Sequence, residues 1–290
     1  VDAFYFSKKF KQVIHCEHDL ELSEIAAHNF TQFKVDIKTI SGNGLAFLQQ
    51  ENQQFDWIYI DPSRRSDAKG KVFKLTDCIP NVPDKLDILF NYTENIMIKA
   101  SPLLDIASAI EELSHVNEIH VVALENEVKE LLFILEKGDS NSIQIKTINL
   151  KKENSHYFNS SYQVHSLATF SEPLTYLYEP NSAILKAGLF NEVSSQLRIH
   201  KLHNNSHLYT SELLVDFPGR SFKIKHICLY NKKQLTQLIP TKKANITVRN
   251  FPESVAHIRK KTGIKEGGET YIFCTTTILD KPIVLICEKV

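Results

Sequence analysis

Along the first half of the chain the apolar positions follow two alternating rhythms. Short runs rich in β-branched and aromatic residues, Gln12–Cys16, Val35–Ile40, Trp57–Ile60, Asn95–Lys99, Val116–Leu124 and Ile143–Leu150, read as strands. Between them the apolar residues recur every three or four positions. Leu22, Ile25, Ala26 and Phe30 predict a helix over 20–33, and shorter helices are predicted over 45–50, 83–92 and 128–136. Strand alternating with helix in this way predicts βαβ units and a mainly parallel, doubly wound α/β sheet.

Beyond Lys151 the rhythm changes. The segment Glu179–Leu197, with Pro180 near its start, reads as an amphipathic helix, and short strands flank the turn signal Asn204-Asn205-Ser206. From Phe217 the order is strand (Phe222–Leu229), helix (Lys232–Leu238), strand (Ala244–Val248), helix (Pro252–Thr262) and two strands (Thr270–Thr276, Lys281–Lys289). That order predicts a small βαβαββ sandwich.

One strand ends abruptly. Trp57-Ile58-Tyr59-Ile60 runs into Asp61-Pro62-Ser63-Arg64-Arg65. Pro62 cannot donate to a sheet ladder and biases Asp61 towards extended geometry, so the strand stops here. Ligands of open α/β sheets bind beyond the carboxyl ends of the strands, which makes Asp61 a candidate site residue. Two other strand ends also carry polar groups: Glu17-His18, and Asn43-Gly44.

The 290 residues are 42% hydrophobic and 23% charged, which suits a globular protein of two or three domains. No basic-then-apolar leader is seen at Val1–Phe10, and no apolar run is long enough to span a bilayer, so no membrane role is expected. The five cysteines (Cys16, Cys78, Cys228, Cys274, Cys287) are odd in number and include no C-x-x-C pair. A disulfide framework or zinc knuckle is therefore not expected, and the reducing cytoplasm is the expected compartment. The net charge of zero conceals an asymmetry. Residues 217–290 hold 14 Lys and Arg against 5 Asp and Glu, a net of +9, which leaves −9 on residues 1–216. A basic module on an acidic body points to a polyanion partner.

Glu17, Asn43-Gly44 and Asp61-Pro62, in that order and with one βα unit between successive ones, resemble a class I S-adenosylmethionine-dependent methyltransferase. The segments YIDPSRR, IKASPLLDI, VVALENEVKELL, EPNSAILKAG and KLHNNSHLYTS are similar to a bacterial group of such proteins with a small ferredoxin-like insert and a C-terminal THUMP-like domain. The resemblance implies a Rossmann-like domain over 1–170, a ferredoxin-like domain over 171–216 and a basic THUMP-like domain over 217–290. It implies S-adenosyl-L-methionine as cofactor, with Glu17 on the ribose hydroxyls beside His18, Asn43 on the adenine, and Gly44 allowing close approach. Asp61, Pro62, Ser63 and Arg64 stand where the family carries its catalytic motif beside the transferable methyl, so Asp61 belongs to both sets. The family's first strand and glycine-rich cofactor loop have no counterpart here, and VDAFYFSKKF reads as the helix that follows that loop. The chain is therefore expected to be truncated within its cofactor loop.

These readings together imply a methyltransferase acting on RNA, tRNA or rRNA, at a nitrogen or oxygen atom. No cysteine follows the strand-five segment IMIKASPLLD, which disfavours a covalent cysteine mechanism. The alternative is a non-catalytic RNA-binding protein that uses the Rossmann-like half as a scaffold. Candidate RNA contacts are Arg65 with Arg64, and the clusters Lys232-Lys233, Lys242-Lys243 and Arg259-Lys260-Lys261. His200, His203 and His207 form an H-x2-H-x3-H array, but the Asn-Asn-Ser turn interrupts it and no acid or cysteine cluster completes a shell, so no metal is expected.

Overall fold

The computed structural model describes residues 1–64, 74–138, 142–164 and 166–290. Arg65 lies outside the described residues, as does the side chain of Arg64.

The first unit runs α1 (Asp2–Phe6), β1 (Ile14–Glu17), α2 (Leu20–Gln32), β2 (Lys38–Ser41), α3 (Gly44–Glu51), β3 (Ile58–Ile60), β4 (Ser63–Arg64), β5 (Cys78–Ile79), α4 (Leu86–Leu89), β6 (Asn95–Ala100), α5 (Ile106–Glu112), β7 (Val116–Leu124), β8 (Glu127–Glu136), β9 (Gln144–Leu150) and β10 (His156–Ser161). Helix starts are set by local chemistry. Asp19 and Asp105 accept from the amides of Leu22 and Ser108 at 3.1 and 2.9 Å, which caps α2 and α5. β1 and β2 pair in parallel as a separate two-stranded sheet, and the larger sheet has the order β10-β9-β7-β8-β6-β3. The short helix α1 reaches both: Phe4 packs on Phe33 of the loop after α2 (ring centroids 5.1 Å) and Phe6 on Tyr59 of β3 (5.0 Å).

Two expectations need correction. Residues 127–136 form a strand, not a helix, and β8 runs antiparallel between β6 and β7. The run Leu131-Leu132-Phe133-Ile134-Leu135 is apolar at every position, so its periodicity is silent; the buried positions are Leu131, Phe133 and Leu135, the period of a strand. The larger sheet is consequently mixed, with parallel pairs β3–β6 and β7–β9 among antiparallel ones, rather than mainly parallel. The helix expected over 179–197 is also broken. Glu179 and Pro180 end a strand, Asn181 caps a new helix with its side-chain oxygen, and Gly188 at φ 71° turns the chain before the next.

The remainder comprises β11 (Thr169–Phe170), β12 (Tyr176–Pro180), α6 (Ser182–Ala187), α7 (Phe190–Leu197), β13 (His200–Lys201), β14 (Tyr209–Ser211), β15 (Gly219–Leu229), α8 (Lys232–Leu238), β16 (Asn245–Val248), α9 (Val255–Thr262), β17 (Thr270–Thr276) and β18 (Pro282–Lys289). From β15 on, the βαβαββ order is as expected. All eight strands join one sheet, β11-β13-β14-β12-β15-β18-β17-β16. The join is the antiparallel β12–β15 pair, where Gly219 faces Pro180; a Cβ on Gly219 would stand 2.1 Å from the Glu179 carbonyl oxygen, so only glycine fits. The cores are shared as well. Tyr178, Ile184, Val193, Tyr209 and Phe217 bury in one cluster with Ile96, Phe133 and Leu135 of the first unit. Leu177, Leu202 and Leu208 bury with Phe222, Phe273 and Leu285 of the last. Polar contacts reinforce the first of these joins: Lys186 donates to the Leu104 carbonyl at 2.7 Å, and the Ser182 amide to Asn126 at 2.8 Å.

Candidate active site and basic surface

Asp61 follows β3 directly, and β3 pairs in parallel with β6, placing Asp61 beside Lys99. The Lys99 ammonium bridges two carboxylates, Asp61 Oδ2 and Asp2 Oδ2, each at 2.7 Å. Tyr59 donates its hydroxyl to the same Asp2 oxygen at 2.6 Å. Burial works against charge on Lys99, but the bonds from Asp2 and Asp61 outweigh it and push the ammonium pKa up. Asp2 is held below its ordinary value: burial opposes this, and the Lys99 and Tyr59 hydrogen bonds prevail. Burial, followed by the bond to Asp2, pushes the Tyr59 phenol up. The cluster therefore sets two acidic side chains around one ammonium, with Asp61 its most exposed member.

Asp61 faces a cleft of about 370 Å³, within the size range of small-ligand sites. It is lined by Asp61 and Pro62, by Lys99 and Ser101 at the end of β6, by Leu75 and Cys78, and by Lys129 and Glu130 of β8. Sequence reasoning missed Lys99, although a lysine inside the apolar run NIMIKA was a visible signal. It missed Lys129 and Glu130 because it assigned them to a helix. Ser63 does not line the cleft; its hydroxyl donates to the Ile79 carbonyl at 3.3 Å across the β4–β5 pair.

Glu17 ends β1 and pairs in register with Ser41, which ends β2, so Glu17 and the Gly42-Asn43-Gly44 turn are neighbours at the carboxyl ends of two parallel strands. One Glu17 oxygen accepts from the Asp19 amide at 3.0 Å, and its other oxygen has no partner among the described residues. His18 is exposed. Asn43 is the N-cap of α3: its side-chain oxygen accepts from Leu45 and Ala46 at 2.9 and 3.4 Å. That oxygen was expected to meet an adenine amino group, but the helix already engages it, which leaves the Asn43 amide N–H groups for a ligand. A Cβ on Gly44 would sit 3.5 Å from that of Cys16, an ordinary contact, so Gly44 is not required there for close packing. A half-buried carboxylate with a free oxygen, next to a side-chain amide with free donors, fits the ribose and base of an adenosine cofactor.

The basic residues divide into two kinds. Lys232, Lys233, Lys242, Lys243 and Lys260 are exposed and have no acidic partner among the described residues. Arg259 instead donates to the Ile264 and Ala244 carbonyls at 3.2 and 3.4 Å, so it holds the α9 terminus to the sheet. Lys261 pairs with Glu253 at 3.2 Å and lies over the Tyr230 ring. Clustering in sequence grouped Arg259, Lys260 and Lys261 as RNA contacts; the structure leaves Lys260 alone uncommitted.

The three histidines have separate partners. His200 bonds Thr169 at 2.8 Å, His203 bonds Asp280 at 3.1 Å and Asn250 at 3.0 Å, and His207 stacks on Phe190. Among the described residues no group of three His, Cys, Asp or Glu side chains is placed to hold a metal ion. No helix among them is long and apolar enough to cross a membrane. Near His207 lies a second charged cluster unforeseen in the sequence. Buried Glu179 takes two hydrogen bonds on Oε2 from its cross-strand neighbour Arg220, through Nε at 2.8 Å and through Nη2, and its Oε1 forms an ion pair with Arg249 at 2.7 Å without hydrogen-bond geometry.

Comparison with known proteins agrees with this architecture. Residues 176–218 match a ferredoxin-like domain family, and residues 219–289 match a THUMP-like domain family. No curated protein matches the chain. The whole chain is similar to a crystal structure from Porphyromonas gingivalis W83, of a protein provisionally named a methyltransferase, with 33% identity and a TM-score of 0.86. The match covers 96% of this chain and 71% of that one. The chain belongs to that methyltransferase-like family, in which a Rossmann-like sheet is followed by ferredoxin-like and THUMP-like domains.

Proposed function

We propose that the protein is an S-adenosylmethionine-dependent methyltransferase of the cytoplasm that methylates a nitrogen or oxygen atom of an RNA, tRNA or rRNA. The observation that carries this reading is the Lys99-anchored Asp61 at the mouth of a polar cleft; the family likeness supports it. S-adenosylmethionine, when bound, supplies an electrophilic methyl group. The remaining work is alignment. Glu17 accepts hydrogen bonds from the ribose hydroxyls, while His18, Asn43 and Gly44 border the adenine. Lys99, whose pKa is pushed up, stays protonated through the neutral range and holds one Asp61 oxygen in place. The free Asp61 oxygen and the Pro62 carbonyl accept hydrogen bonds from the N–H or O–H of the acceptor, aiming its lone pair at the methyl. The acceptor's proton then leaves to water. Arg64 and Arg65 hold neighbouring phosphate, and the uncommitted lysines of the basic domain, Lys260 among them, supply most of the RNA affinity.

The test uses the full-length protein, tRNA and S-adenosylmethionine labelled in its methyl group. Asp61→Ala is expected to lower transfer on the order of 100-fold. Glu17→Ala should weaken cofactor binding in calorimetry by about 1–3 kcal/mol, through loss of a charged acceptor. Undiminished transfer by Asp61→Ala overturns the reading.

A further inference from the structure

Successive residues of a regular strand point to opposite faces of the sheet. Lys129 and Glu130 are successive, yet both line the cleft that Asp61 lines. The strand register explains this. Val122 of β7 faces Glu130, but the next residue, Ala123, faces Val128, so Lys129 is the extra residue of a β-bulge. Bulges re-aim side chains and gather beside active sites. Here the bulge turns an oppositely charged pair towards one space. Neither charge is tightly held: among the described residues Lys129 pairs only with the exposed Glu127, at 2.6 Å, an ion pair of small value in water. Glu130 is half-buried and has no hydrogen-bond or ion-pair partner among the described residues.

We propose that this bulge is the nucleotide-selecting wall of the cleft. Glu130 accepts hydrogen bonds from an amino-bearing base edge, and Lys129 pairs with the phosphate of the same nucleotide. The proposal rests on the reading of RNA as substrate and narrows it to adenine, cytosine or guanine. With Asp61 and Glu130 both in its lining, the cleft offers two carboxylates to a base. Each of those three bases carries an exocyclic amine that can donate to a carboxylate. Uracil has no amine, and its one edge donor, N3–H, lies between two carbonyl oxygens that would face like charge.

The four nucleoside 5′-monophosphates, titrated into the full-length protein by calorimetry, test this. The adenosine, cytidine and guanosine forms are expected to bind about tenfold tighter than the uridine form, the value of one charge-assisted hydrogen bond. Glu130→Gln should bring that ratio close to one. Lys129→Ala should weaken all four alike and abolish their advantage over the free nucleosides. An unchanged ratio in Glu130→Gln, no preference in the wild type, or no binding of any nucleotide overturns the proposal. Methyl transfer to tRNA by the same proteins separates the two readings. Selective binding without transfer would remove the methyltransferase assignment and leave the wall standing. Transfer with an unchanged base preference in Glu130→Gln would remove the wall and leave the enzyme.

Discussion

The two charged clusters of this protein are built from the same residue types in opposite proportion. At the cleft one ammonium serves two carboxylates, and at the β12–β15 seam one carboxylate serves two guanidinium groups. Exposure separates them further. Asp61 keeps 51% of its side chain in contact with solvent, whereas Glu179 keeps 5%. A buried carboxylate is tolerable only when its charge is compensated, which Arg220 does through hydrogen bonds to one Glu179 oxygen and Arg249 through an ion pair at the other. An exposed one can spare an oxygen for a ligand. The seam cluster therefore belongs to stability, and the cleft cluster is the one with an oxygen left for the chemistry proposed above.

The strongest way to break this contrast is Glu179→Gln. It leaves two arginines facing an amide in a site shaped for a carboxylate. Urea unfolding is expected to show a loss of about 2–3 kcal/mol, below the full value for a buried pair because both guanidinium groups still reach water. A loss under about 0.5 kcal/mol, the range of ordinary surface substitutions, would place the seam with the cleft as a peripheral pair.

Acid should act on the same seam. Burial pushes the His207 imidazole down to about 4 from an ordinary 6.5, and Lys201 and Arg249 add to the effect. A group with a depressed folded pKa contributes stability that is present above its unfolded pKa and is lost as pH falls through the folded one. The window is therefore pH 6.5 down to about 4. The loss there should be about 2 kcal/mol after allowance for partial exposure. His207 sits at φ 51°, a conformation that asparagine accepts, so His207→Asn keeps the backbone and should flatten the pH dependence across this window. Equal slopes for the two proteins in urea unfolding at stepped pH would refute it.

The smallest stability effect is expected at the cleft. Lys99→Met removes the cation between Asp2 and Asp61, but these groups are open to solvent, so unfolding should change by only about 1 kcal/mol. Methyl transfer should nevertheless fall nearly as far as in Asp61→Ala, because Asp61 loses its anchor. Lys99→Arg, which keeps the charge, should restore part of it. A stability loss as large as that of Glu179→Gln would erase the distinction between the clusters.

The sequence by itself determined the strands that end at Glu17 and Asp61, the βαβαββ order of the basic domain and the charge split, because each is a local property. Pro62 cannot donate to a ladder and so closes β3 from the sequence alone, and periodicity marks an element when one face is polar. It could not determine β8, whose five consecutive apolar residues carry no period, nor that Lys129 and Glu130 face the cleft, since a bulge is defined by the partner strand. Lys99 was legible as an oddity, but Asp2 and Asp61 lie 97 and 38 positions away in the chain, and only folding brings their carboxylates to one ammonium. The same holds for the basic clusters. Arg259, Lys260 and Lys261 are equivalent in sequence, and tertiary structure decides that the first holds carbonyls, the second meets water and the third meets Glu253. Charge is written in the sequence; whether that charge is spent inside the protein or left for a ligand is decided by what packs against it.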